Sequence, residues 1–186
     1  MNFILDKMVG FAESNRELSK YDAAKLRFML ELILLNVMEF AIFTVFFTVL
    51  SVFIEFLICV GVLMSVRWFA GGFHLKKYRY CVLFSGAVFA SAILVLPDVS
   101  QTRGAMEALL LVSILINIAL APVSKRNAAH PAKNNLFMKA VSTAILLIYA
   151  ILLLYIWDNH YVSMITWILF IQSVQLIIGK VLLVAK

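Results

Sequence analysis

The 186-residue sequence is 64% hydrophobic and only 14% charged, with a mean hydropathy of +1.01 and a formal net charge of +6. A soluble domain is about 45–50% apolar and about 25% charged, so no soluble fold of this length has the interior to bury such a chain. The charge is too small and too scattered for a nucleic-acid footprint, and two cysteines, Cys59 and Cys81, make no disulfide framework.

Residues 1–27 mix apolar positions near helical spacing (Phe3, Ile4, Met8, Phe11, Ala12) with charges. They read as an amphipathic cytosolic or interfacial segment, with an ordinary cytosolic lead-in helix as the plainer alternative. Asp6 interrupts the first apolar run and no small-residue cleavage site follows, so a cleavable signal peptide is not expected. Residues 28–186 read as one transmembrane domain. Phe28 to Ala70 is apolar apart from Glu31, Asn36, Glu39, Glu55 and Arg67. At about 20 residues per span it holds two, with a turn near Thr48–Ser51 that has no Gly or Pro to mark it. Tyr80–Leu96 is the third span, ended by Pro97-Asp98, and Gly104–Ala121 is the fourth, ended by Pro122. Val123–Lys139 is expected to be a polar loop. Ala140–Trp157 and Val162–Val184 complete the set around a turn at Asp158–His160. The runs do not alternate with period two, as barrel strands would. The expected fold class is all-α: a polytopic transmembrane helical bundle of about six spans.

Lys and Arg in short loops set orientation. Arg67, Lys76, Lys77 and Arg79 follow span two, Lys125, Arg126, Lys133 and Lys139 follow span four, and Lys7, Arg16, Lys20, Lys25 and Arg27 precede span one. Six spans put all of them on one side, expected to be the cytosol. The opposite side has Arg103 with Asp98, Glu107 and Asp158.

The connection Arg67-Trp68-Phe69-Ala70-Gly71-Gly72-Phe73-His74-Leu75-Lys76-Lys77-Tyr78-Arg79-Tyr80-Cys81 concentrates chemistry at a membrane edge. A thiolate is the reactive form of Cys, and a neighbouring imidazole can take the proton. His74 and Cys81 are seven residues apart, so they can share a helix face, or His74 can fold back over the start of span three. In the first turn of that helix the dipole would also favour a Cys81 thiolate. Gly71 and Gly72 would let backbone N–H groups approach a reacting carbonyl as an oxyanion site. Spacing alone leaves the ordinary alternatives open, since a Cys in an apolar helix is usually packing and a loop His is usually solvated. Two ligands without a third nearby make no metal site, and no cofactor is called for.

This stretch resembles the signature of the AgrB (accessory gene regulator B) family of membrane peptidases. That pattern has an Arg, an aromatic, a small residue, Gly-Gly, an aromatic, a catalytic His and, seven residues on, a catalytic Cys. The sequence matches at Arg67, Ala70, Gly71, Gly72, Phe73, His74 and Cys81. Leu75, in place of a small residue, and Lys76-Lys77 depart from it between the two catalytic positions. Length, the hydrophilic N-terminal segment and the span count fit as well. The resemblance implies a cysteine endopeptidase of the cell membrane, with its active site on the cytosolic side, in a Gram-positive bacterium. Its substrate would be a quorum-sensing peptide precursor with an amphipathic leader and an acidic C-terminal tail. Cys81 would attack a peptide bond and release the tail, with His74 as base and then acid, and the resulting thioester would close to a thiolactone or lactone. The resemblance also admits a homodimer.

Other polar residues have plainer readings beside functional ones. Arg67 binds a substrate carboxylate or supports the thiolate, or is a snorkelling span-end charge. Glu39 and Glu55 lie within spans, where either could pair with Arg67 or orient His74. Cys59 is expected to be packing, and Asn117 and Gln172 interhelical hydrogen-bond partners. His130 and His160 are assigned no role. The Lys125–Lys139 loop is a topology signal that could also hold acidic tails or lipid head groups. The competing functional classes are a small membrane transporter or peptide exporter without peptidase activity, and a non-catalytic assembly factor. The chain lacks paired broken helices and a P-loop.

Overall fold

The structure is a computed structural model and describes residues 20–72, 78–99, 102–123, 132–155 and 159–184. Residues 1–19 of the expected amphipathic segment, and the Phe73–Lys77 stretch, lie outside the described residues. The chain divides into two compact units after Val49.

The first unit contributes α1 (Lys20–Val49), one unbroken helix of 30 residues. Its Ala24–Val49 part is apolar enough to cross a membrane. At 1.5 Å per residue those 26 residues reach about 39 Å, beyond the roughly 30 Å hydrocarbon core. The boundary expected between residues 27 and 28 falls inside this helix. Near its end the Thr48 hydroxyl donates to the Thr44 carbonyl at 2.6 Å, returning a polar group to the helix's own backbone.

The second unit opens at the turn Leu50–Val52, one or two residues past the expected place. Ser51 takes the left-handed conformation there (φ 59°), the role a Gly would normally fill. α2 (Phe53–Ala70) follows, with Glu55 in its first turn and Arg67 in its last, both signs matched to the helix dipole. α3 (Tyr78–Ala90) runs through a π-helical turn, Ser91–Val95, into the short α4 (Leu96–Val99). Pro97 accounts for the widened turn. Its ring crowds the carbonyl four residues back and it lacks an N–H, and directly ahead of it the Leu96 N–H reaches to the Ser91 carbonyl. The helix therefore passes Pro97 and ends a turn later than the sequence suggests.

α5 (Arg103–Leu120) starts after Thr102, whose carbonyl accepts from the N–H groups of Ala105 and Met106 at 3.1 and 3.3 Å. It ends where Ala121 turns extended ahead of a cis bond to Pro122. α6 (Ala132–Tyr155) corrects the loop expected over Val123–Lys139, because its last eight residues are helical. Lys133, Asn134, Asn135 and Lys139 form polar leading turns, and Pro131 just before Ala132 suits a helix start. α7 (Asn159–Val184) is the last helix.

Among the described residues six helices are long and apolar enough to span a membrane, one of them the continuous Tyr78–Asp98 stretch. The expected count stands. Within the second unit α7 is the hub, packing against α2, α4, α5 and the π turn, while α6 packs on α2 and α5. In its membrane window 61% of residues are buried, against 22–33% for the other spans of this unit. Polarity is inverted relative to a soluble bundle, because lipid is as apolar as Leu and gives no hydrophobic drive for helix association. Ser163, Thr166, Gln172, Ser173 and Gln175 of α7 are buried, while Leu111 and Leu115 of α5 and Ile148 and Ile151 of α6 are exposed. Ser173 donates to the Ser113 carbonyl of α5 at 3.3 Å, and Ser163 to the Pro97 carbonyl at 3.4 Å.

Candidate functional site

The site is built from the end of α2. The Gly71 N–H donates to the Arg67 carbonyl at 2.9 Å, closing the helix, and Gly71 then turns left-handed at φ 78°. This swings the chain against the segment leaving α5. Gly71 and Val123 pair as an isolated parallel bridge, and the Val123 N–H donates to the Ala70 carbonyl at 2.9 Å. Only Gly fits. A side chain at Gly71 would run into the Val123 carbonyl, whose carbon would stand 2.9 Å from the added Cβ.

α7 then reaches in from its C-terminal half. Gln172 Nε2 donates to the Gly71 carbonyl at 2.8 Å, a contact that fixes which end of the amide is which. One turn on, Gln175 Oε1 accepts from Arg67 Nη1 at 3.0 Å. Arg67 lies over Gly72: an added Cβ there would sit 3.1 Å from Nε and 3.3 Å from Cζ of the guanidinium. Both glutamines are almost fully buried. Among the described residues Gln172 Oε1 meets no hydrogen-bond partner.

Cys81 is a partly buried thiol, outside any disulfide, on the fourth residue of α3. His74 falls in the stretch outside the described residues. Gly72 and Tyr78 are six Cα steps apart, at most about 22 Å of chain, so α2 ends and α3 begins at the same end of the unit. The Gly71–Val123 bridge brings the end of α5 there too. The opposite end carries the Leu50–Val52 turn, the end of α4 and the exposed Arg103–Glu107 pair at 2.8 Å.

Of the sequence candidates, the structure therefore gathers Arg67 and Gly71 into one hydrogen-bonded cluster with the two glutamines, and Gly72 lies beneath the Arg67 guanidinium. It differentiates the two glycines. The Gly71 N–H is taken by Arg67, whereas the Gly72 N–H makes no hydrogen bond among the described residues. Glu55 is removed as a partner of Arg67: twelve residues of α2 separate them by about 18 Å, beyond the reach of both side chains. Cys59 is fully buried, as packing requires. Asn117 does link helices, its Nδ2 donating to Ser142 Oγ at 3.0 Å and Thr143 Oγ1 at 3.1 Å on α6. Gln172 links α7 to the α2 cap rather than to another helix side chain. Gln175 joins the site without being a candidate on sequence grounds. The available signal was two amides three residues apart in an apolar span, which share a helix face. His160 is exposed, beside Tyr161 at 5.6 Å between ring centroids, and His130 lies outside the described residues.

These features define a polytopic α-helical membrane protein with an arginine, a glycine pair and a thiol-bearing helix at one end of its bundle. The family profile of accessory gene regulator B (AgrB) matches residues 5–176. A protein of Clostridium beijerinckii described as AgrB-like is 30% identical over 171 residues, covering 90% of this chain and 83% of that one. No solved structure matches the chain. The chain belongs to the AgrB family. Membership ties it to the accessory gene regulator system and its quorum-sensing peptide.

Proposed function

We propose that the protein is a membrane cysteine endopeptidase that removes the C-terminal tail of a quorum-sensing propeptide and hands the new acyl end on to ring closure. The observation that carries this reading is the partly buried Cys81 thiol, opening α3 at the end of the bundle where Arg67, Gly71 and Gly72 converge. AgrB membership supports it.

His74 takes the thiol proton as the Cys81 sulfur attacks the scissile carbonyl, then gives that proton to the departing amine of the tail. The N–H of Gly72 is the backbone donor for the developing oxyanion, and the Arg67 guanidinium beside it adds positive charge. The peptide is left as a thioester on Cys81. A thiol or hydroxyl within the peptide attacks that thioester, returns the proton and frees Cys81, giving a thiolactone or lactone. Exchange of one thioester for another is close to thermoneutral, so activation survives into the ring. Packed spans around the sulfur keep water from diverting it to a linear acid.

The substrate is a precursor with an amphipathic leader that lies on the lipid surface and an acidic tail. Arg67, Arg79 and Lys139 on described helices belong to this end, as do Lys76, Lys77, Lys125, Arg126 and Lys133 by sequence. That concentration favours the cytosolic side, where a newly made peptide arrives.

The test is tail release from the cognate precursor by protein reconstituted in vesicles. Wild type forms a hydroxylamine-labile precursor adduct and releases the tail. Cys81→Ala abolishes both, and His74→Ala lowers the rate about a hundredfold or more. Tail release that persists in Cys81→Ala refutes the mechanism.

A further inference from the structure

We propose that Gln172 and Gln175 of α7 are positioning residues for the oxyanion half of this active site. The inference rests on the peptidase reading above and extends it to a helix outside the signature stretch.

The geometry follows from one peptide plane. In a trans peptide the carbonyl of Gly71 and the N–H of Gly72 belong to the same rigid unit and point in opposite directions. Gln172 Nε2, holding the Gly71 oxygen at 2.8 Å, thereby fixes where the Gly72 N–H points, namely away from α7. Glycines would otherwise let this plane turn freely. Gly71 is already held on its N-terminal side by Arg67 and along its edge by Val123, so Gln172 completes its restraint. Gln175, on the same helix face, accepts from Arg67 Nη1 at 3.0 Å and keeps the guanidinium over Gly72. Two side chains three residues apart thus set both electropositive groups that flank Gly72. Both are buried to within 2% of full coverage, so substrate does not touch them. They act through Gly71 and Arg67.

The experiment uses the full chain in vesicles with its precursor, and reads kcat, KM and the rate of Cys81 alkylation by iodoacetamide in each variant. Gln172→Met keeps an unbranched side chain of similar length and loses the donor. It is expected to lower kcat about a hundredfold, the effect of misplacing a reacting geometry by about an ångström. KM and Cys81 alkylation stay within about twofold of wild type, because neither substrate binding nor the thiol passes through the Gly71–Gly72 plane. Gln175→Glu still accepts from Arg67 and retains most of kcat, whereas Gln175→Leu loses it. Wild-type kcat in Gln172→Met overturns the proposal. So does a kcat that falls only in step with alkylation, which would make Gln172 a support of the fold alone, and so does failure of Gln175→Glu to outperform Gln175→Leu. Each of these is separable from failure of the peptidase reading, which is decided by Cys81→Ala.

Discussion

At the scale of residues, Gly71 and Gly72 stand side by side yet carry different constraints. Gly71 is left-handed and has the Val123 carbonyl where a Cβ would go. An alanine there combines a backbone penalty of about 1–2 kcal/mol with a clash against rigid backbone. Among the described residues, the nearest atoms to a Cβ at Gly72 belong to the Arg67 guanidinium, the far end of a side chain that can shift. Gly71→Ala is therefore expected to lower the melting temperature of the detergent-solubilised protein well below that of Gly72→Ala. Gly72→Ala instead displaces Arg67 and shows its effect in turnover. Gly61→Ala and Gly104→Ala, which meet nothing within 4 Å among the described residues, serve as controls that leave turnover unchanged and hold or raise the melting temperature. The two cysteines also separate: iodoacetamide should modify the partly exposed Cys81 in the folded protein and reach the buried Cys59 only on unfolding, as peptide mass mapping would show. Much at this scale was legible in the sequence. A glycine pair, an arginine and a cysteine at a membrane edge are informative by type. Gln175 was not legible, because a span's composition says that a polar residue seeks the protein interior without saying which partner waits there.

At the scale of elements, interhelical polar contacts carry what apolar packing carries in water. Asn117 spends both amide hydrogens on Ser142 and Thr143, joining α5 to α6. Asn117→Leu is expected to cost about 0.6–1.7 kcal/mol, read as a lower thermal midpoint of the solubilised protein. Ser51 offers the converse case. Its left-handed φ of 59° favours glycine, so Ser51→Gly is expected to hold or raise that midpoint by a few degrees and Ser51→Val to lower it. The span count was readable from hydropathy, and the helix limits were less so. The leading turns of α6 are polar, and hydropathy marks where lipid begins rather than where a helix begins. Pro97 suggested a stop, but a π turn ahead of it absorbs the missing N–H and the helix continues. The Ser51 turn is placed by span length, since its residues give no other signal.

At the scale of the whole molecule, the second unit is organised around α7, the span with the least lipid exposure. Its importance was hidden because the polar residues of α7 are few and spread along an apolar span, so its amides look like isolated blemishes. Orientation belongs to this scale as well. In a cysteine-free background, single cysteines at Arg79 and Lys180 are expected to react with an impermeant maleimide from the cytosolic side of membrane vesicles, and one at Arg103 from the opposite side. Labelling of Arg79 and Arg103 positions from the same side would break the alternating topology.

The seam between Gly71 and Val123 has a consequence in time. Its two halves are made early, some fifty residues apart, and the glutamines that brace it come more than forty residues after Val123. A ribosome still finishing α7 therefore displays the thiol of α3 before the groups that would steer an acyl transfer are held in place. On the proposed roles of Cys81 and the two glutamines, competence waits for α7 to pack, and a chain stopped short of α7 carries a thiol whose steering groups are not yet held.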